Sequence, residues 1–182
     1  MKKILLFILI FFSCFSYSQL FENQKFCKES KGISYFPLEI TKKKILWQDT
    51  FYFEIKNKTK VINGKTYVEF KQEWNNSESF LLYFREENKI IYQYDLCSEK
   101  ETIRYNPKFK IGHLWKSASE KSEYQLITYN GKLKTPYCEY ENLLVIKAKM
   151  PYGKFNFYYL KGQGYIGATK NNKLVSYVTP KW

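Results

Sequence analysis

Apolar and polar residues alternate with a period of two through much of this chain, and turn residues interrupt the alternation at short intervals. Phe51, Phe53 and Ile55 alternate with Tyr52, Glu54 and Lys56, the pattern of a sheet with one buried face. Asn63-Gly64 then supplies the positive backbone angles of a tight hairpin turn, and TYVEFKQEW returns. The unit repeats. Residues 80–84 and 90–94 flank the charged turn REENK, and residues 124–129 and 132–135 flank Asn130-Gly131. Residues 143–149 and 155–161 flank Met150-Pro151-Tyr152-Gly153, and residues 164–169 and 173–178 flank Asn171-Asn172. Five successive hairpins predict an all-β, mainly antiparallel meander of about ten strands. One flat sheet of that width would expose long edges, so it should curl into a barrel, half-barrel or β-clam whose concave face is filled or covered. No stretch has sustained helical period, and residues 22–31, ENQKFCKESK, allow at most one short helix. The continuous apolar runs FLLYF and LLVI read as strands buried on both sides.

The start of the chain breaks the pattern. Lys2 and Lys3 precede an unbroken apolar run from residue 4 to residue 12, and Ser16-Tyr17-Ser18 fits a small-x-small cleavage site before Gln19. Residues 1–18 are therefore read as a secretory signal peptide, too short for a permanent membrane anchor. Residues 19–182 are then a single β domain with no transmembrane segment. An alternative reading takes Phe12-Ser13-Cys14 as a degenerate lipobox with Cys14 as the lipidated residue.

Export changes what the composition implies. The net charge is +13, to which Lys2 and Lys3 contribute two. A surplus of this size points to an anionic envelope component, a lipid or a protein as partner, and export argues against nucleic acid. A/T-rich codons also favour Lys, so the charge can reflect the genome alone. Cys27, Cys97 and Cys138 remain after cleavage in an oxidising compartment, enough for one disulfide and one odd thiol, with three pairings open. None of them has a cysteine or histidine at metal-binding spacing, so no metal or other cofactor is expected.

Candidate chemistry is sparse. GQGYIG, residues 162–167, matches G-x-G-x-x-G, but a dinucleotide site needs the glycines between strand and helix and an acidic residue about twenty positions on. The fifteen residues that follow, ATKNNKLVSYVTPKW, form a hairpin pattern without Asp or Glu. Gly162 and Gly164 are read instead as a bulge or bend, and Gly167 as a place where a neighbouring aromatic lies over the backbone. His113 is the only histidine and has no nucleophile signature near it; Gly112-His113-Leu114-Trp115 reads as the start of a strand with Trp115 as core anchor. Glu86 and Glu87 in a turn, and Asp95, Glu99 and Glu101 along an edge, read as solvated partners of lysines rather than a catalytic pair. The aromatic and basic residues interleaved in FYFEIKNK, YVEFKQEW and KFNFYYLK are the mixture of a stacking platform, yet plain strand alternation produces the same text. No residue is assigned a catalytic, cofactor-binding or metal-binding role.

REENKIIYQYDLCSEKETIRYNPKFKIGHLW is similar to a pattern in small secreted proteins of the Bacteroidetes, in which an Arg-Glu turn, a Tyr-rich strand and a Gly-Asp-x-Trp-like step follow one another. FYYLKGQGYIGATKNNKLVSY resembles their closing Tyr-Tyr-x-x-Gly-x-Gly hairpin. Together the two stretches cover about a third of the chain. The resemblance implies export and a curved antiparallel sheet and carries over no catalytic residues. His113 stands where those proteins more usually have an acid.

The function expected from these features is that of an exported, non-enzymatic, monomeric binding or structural protein acting at the cell envelope through one face of the sheet. The alternative is a periplasmic carrier of a lipid or other apolar ligand in a half-barrel cavity. A small outer-membrane barrel fits less well, since several strands are near six residues and Pro180 interrupts the last.

Overall fold

The computed structural model describes residues 26–28 and 32–180. The expected signal peptide, the lipobox alternative at Cys14, most of the possible helix over residues 22–31 and the aromatic carboxyl end lie outside the described residues. Residues 26–28 form part of a turn.

Twelve strands are present: β1 (Lys42–Trp47), β2 (Thr50–Ile62), β3 (Lys65–Trp74), β4 (Phe80–Glu87), β5 (Ile90–Asp95), β6 (Lys100–Tyr105), β7 (Leu114–Lys116), β8 (Glu123–Lys134), β9 (Glu139–Met150), β10 (Gly153–Leu160), β11 (Gly164–Lys170) and β12 (Lys173–Val178). All belong to one antiparallel sheet in the order β6-β5-β4-β3-β2-β1-β12-β11-β10-β9-β8-β7. Each strand pairs with its neighbour in sequence, except that β6 and β7 do not pair and β1 pairs with β12 instead. Ile45 lies opposite Val178 and Trp47 opposite Ser176 in that closing ladder. The expected all-β antiparallel meander is present as a sheet nearly closed into a barrel, open along the β6–β7 seam. Among the described residues the Thr102 hydroxyl, donating to the Lys116 carbonyl at 3.1 Å, bridges that seam.

Turn chemistry explains the hairpins. Asn63 and Gly64 (φ 50° and 74°), Asn88 and Lys89 (52° and 65°) and Asn171 and Asn172 (51° and 61°) form two-residue turns whose left-handed backbone matches the strand twist. The turn expected at Asn130-Gly131 is not one: β8 runs through both, and the reversal falls at residues 135–138. Gly131 is there for closeness, since a Cβ would lie 2.2 Å from Val145 Cγ2. Gly162 and Gly164, with φ near 70°, belong to the β10–β11 turn, while the bulge falls between Tyr158 and Tyr159. At Gly167 the neighbours are the Ser176 carbonyl and Leu133 rather than an aromatic ring.

The sheet buries side chains on both faces. Its inner core holds Leu126, Leu144, Ile146 and Ala148, each fully buried, with Tyr35, Tyr105, Tyr124 and Tyr159. Each large aliphatic side chain so buried contributes about 1.5–3 kcal/mol. A second core packs Leu133, Cys138, Tyr140 and Leu143 of the β8–β9 hairpin with Leu160 and Ile166. The run Leu143-Leu144-Val145-Ile146 is therefore buried on both sides, as its composition predicts. FLLYF is not: Phe80 and Leu81 are exposed. The Cys27–Cys138 disulfide anchors residues 26–28 to this hairpin, and Cys97 is an exposed free thiol.

A third cluster pins the seam strand β6 from outside. Glu101 accepts hydrogen bonds from Arg85 Nε (2.5 Å) and Nη2 (2.9 Å), Tyr67 Oη (2.5 Å) and Lys65 Nζ (2.9 Å). Arg85 also lies over Tyr92, and Tyr67, Tyr83 and Tyr94 are buried beneath the network. Glu101 is thus a largely buried tie between β6, β4 and β3, not the solvated lysine partner expected. Among the described residues no helix is long and apolar enough to cross a membrane.

Candidate functional site

Inside the nearly closed barrel lies a half-open cavity of about 190 Å³. Six strands, β1, β2, β3, β6, β10 and β11, supply its polar groups. Alternation on β1 turns Lys43, Ile45 and Trp47 inward, and the ladder sets Lys43 opposite Glu54 and Ile45 opposite Tyr52 on β2. On β2 the inward row is Tyr52 and Glu54, so the more apolar Phe51 and Phe53 face out, where Lys42 and Lys44 ammonium groups each rest 4.4 Å from a ring centroid. Glu54 is opposite Gln72 of β3, whose Nε2 donates to its carboxylate at 3.0 Å.

Arg104 reaches the cavity through an irregularity. On β5 and β6, Ile91 pairs with Tyr105 and Tyr92 with Ile103, which leaves Arg104 as the extra residue of a bulge. Such a bulge re-aims a side chain, and here both Arg104 and Tyr105 are turned inward. Arg104 Nη2 donates to Tyr159 Oη at 2.9 Å, and the guanidinium lies 4.8 Å from the Tyr124 ring centroid. No carboxylate of the described residues pairs with it.

The segment before β1 completes the lining. Ser34 accepts a hydrogen bond from Gly162 N at 2.7 Å, which fixes the segment against the β10–β11 turn. Phe36 then stacks on Tyr105 and packs against Tyr159, at centroid distances of 5.2 and 4.5 Å. Pro37, Leu38 and Ile40 follow along the cavity wall.

Burial governs the titration of these groups. It pushes the Lys43 ammonium down to about 8, with Glu54 opposing, while the ammonium donates to the Gln163 and Tyr165 carbonyls. Burial and neighbouring phenols and Glu54 raise Tyr52 and Tyr165 well above the usual phenol range, so both stay protonated. Burial works against the Arg104 charge, but Tyr159 and Tyr124 more than offset it, and the guanidinium stays charged. The cavity therefore presents two cations, one carboxylate and protonated phenols between aromatic walls. No family model, curated protein or solved structure matches the chain. Function rests on this geometry.

His113 lies elsewhere, at the seam. Its ring stacks on Phe109 at 3.8 Å, Phe109 packs on Trp115, and Trp115 stacks on Tyr124. No acid or nucleophile of the described residues hydrogen-bonds the imidazole, so it ends an aromatic stack rather than joining a triad. Trp115 packs against the inner core, as expected of an anchor. Among the described residues no group of His, Cys, Asp or Glu side chains could hold a metal ion. Sequence reasoning singled out neither Lys43, Glu54 nor Arg104: the first sits in a run of three lysines, and the last depends on a bulge without a textual signature.

Proposed function

We propose that this is an exported, non-catalytic protein that binds a small, largely apolar molecule in the lumen of its barrel. The observation that carries the reading is the half-open cavity of about 190 Å³, walled by aromatic rings and furnished with a few inward polar groups. That combination is characteristic of ligand sites rather than of a filled core. The volume favours a small ligand: a dry cavity of about 150 Å³ accommodates benzene. A long acyl chain or a phospholipid exceeds this volume and would have to protrude through the open side, which narrows the lipid-carrier idea. The disulfide is consistent with an oxidising compartment, and the apolar leader supports export. The reading is tested by native mass spectrometry of the protein secreted into an oxidising periplasm, beside a Leu82→Trp variant that fills the cavity. A bound small mass present in the wild type and lost in the variant is expected; retention in the variant puts the ligand elsewhere.

A second reading has one specific support. Lys42 and Lys44 over Phe51 and Phe53 form a basic, aromatic strip on the outer face, the kind of surface that engages an anionic envelope component. Sedimentation with anionic vesicles, weakened by added salt and by Lys42→Glu/Lys44→Glu, would favour this reading.

A further inference from the structure

The geometry points to a monoanionic ligand in the lumen: a small carboxylic acid with an apolar body about the size of one aromatic ring, its carboxylate gripped by Arg104. This rests on the lumen-binding reading above and specifies its ligand class.

Charge balance is the first argument. The charged side chains lining the cavity are Lys43, Arg104 and Glu54, so the lining carries a surplus of one positive charge. Arg104 is half-buried, and a cation partly removed from water without a counter-charge carries a cost that proteins generally offset by pairing it or using it. Glu54 does not serve Arg104. It faces Lys43 across the β1–β2 ladder and accepts from Gln72. Among the described residues the partners of Arg104 are neutral: the phenols of Tyr159 and Tyr124 and the ring of Phe36. A guanidinium has five donors in a planar fork that matches a carboxylate, and its bond to Tyr159 occupies one nitrogen. One carboxylate neutralises the surplus, whereas a phosphate dianion would reverse it.

Size and lining give the second argument. About 190 Å³ holds a ring and a carboxyl group in full, whereas a long chain would have to protrude through the open side. Trp47, Phe84 and Phe157 on the wall offer ring faces and edges to an aromatic body. Position gives the third. The bulge that delivers Arg104 interrupts the β5–β6 ladder, and bulges of this kind recur where a side chain is re-aimed for use.

The test is titration calorimetry of the intact purified protein with phenylacetate, its neutral isostere phenylacetamide, and palmitate. Phenylacetate is expected to bind about 10- to 100-fold more tightly than phenylacetamide, the range for a hydrogen bond to a charged group. Arg104→Met should abolish that preference and Arg104→Lys should retain part of it, with circular dichroism confirming the fold of each. Leu82→Trp should abolish phenylacetate binding. Equal binding of acid and amide, both lost in Leu82→Trp, overturns the anion assignment and leaves lumen binding standing. Phenylacetate binding that survives Leu82→Trp overturns both, and so does absence of binding by any of the three together with a bare mass spectrum. Tighter binding of palmitate overturns the size assignment.

Discussion

Replacing Glu101 with Gln removes the carboxylate on which Arg85, Tyr67 and Lys65 converge. The Arg85 hydrogen bonds, aided by Tyr67 and Lys65 and opposed by burial, hold the Glu101 carboxyl at about 2 against an ordinary 4.5. Through linkage, that displacement corresponds to about 3 kcal/mol of folding stability at neutral pH. Its side chain is only 19% exposed, so solvent screening trims the figure modestly. In the unfolded chain the carboxyl titrates near its ordinary value. The contribution is therefore complete above about pH 4.5 and is lost as pH falls towards 2. Urea unfolding of Glu101→Gln at pH 7 should show a loss of about 2–4 kcal/mol, since Arg85 is left with Glu87 alone. The gap between wild type and variant should close between pH 4.5 and 2. A loss below about 0.5 kcal/mol, the scale of an exposed ion pair, or a gap that stays constant with pH, refutes the reasoning.

Other substitutions probe other parts of the fold. Gly167→Ala places a Cβ 2.5 Å from the Ser176 carbonyl oxygen, and the urea midpoint should fall by the equivalent of about 1–3 kcal/mol. Serine in place of Cys27 and Cys138 frees a loop with a separation of 111 residues and should cost about 4–5 kcal/mol in calorimetric stability relative to oxidised wild type, a difference that should vanish against wild type kept reduced. Tyr140→Phe removes a buried hydroxyl that has no hydrogen-bond partner among the described residues, so its unfolding free energy should equal or exceed that of wild type by up to about 1 kcal/mol. Lys43 is harder to protonate folded than unfolded, so wild-type stability should rise relative to Lys43→Met between pH 8 and 10.5; a flat difference contradicts the assigned burial.

Much of the meander was legible because local chemistry fixes it. Asn63-Gly64 and Asn171-Asn172 sit at real turns, and the residues around them alternate as strands must. Asn130-Gly131 has the same text for another reason, the approach of Val145, and two letters cannot separate a turn from a tight contact. β1 hides in KKKILW because its inward row begins with a lysine. The choice of Cys27 and Cys138 needed the β8–β9 hairpin folded over the outer face, a long-range fact. The candidate site was least legible. Lys43, Glu54 and Arg104 are separated by 11 and 50 positions in sequence, and only the closure of β1 on β12 and the bulge on β6 bring them to one cavity. Glu101 looked like any surface acid because its burial comes from tyrosines on three other strands.

The seam between β6 and β7 makes the molecule a ring interrupted at mid-chain. The connection from residue 106 to residue 113 is the one link along the sheet that carries no β-ladder of its own, so a protease cut there would sever the backbone while leaving all eleven ladders paired. The two pieces would stay joined through β1 and β12 and through the shared inner core. Expression as two separate polypeptides divided in this connection should therefore reconstitute the barrel, whereas division at any hairpin turn would set apart strands that depend on their immediate covalent neighbour for pairing.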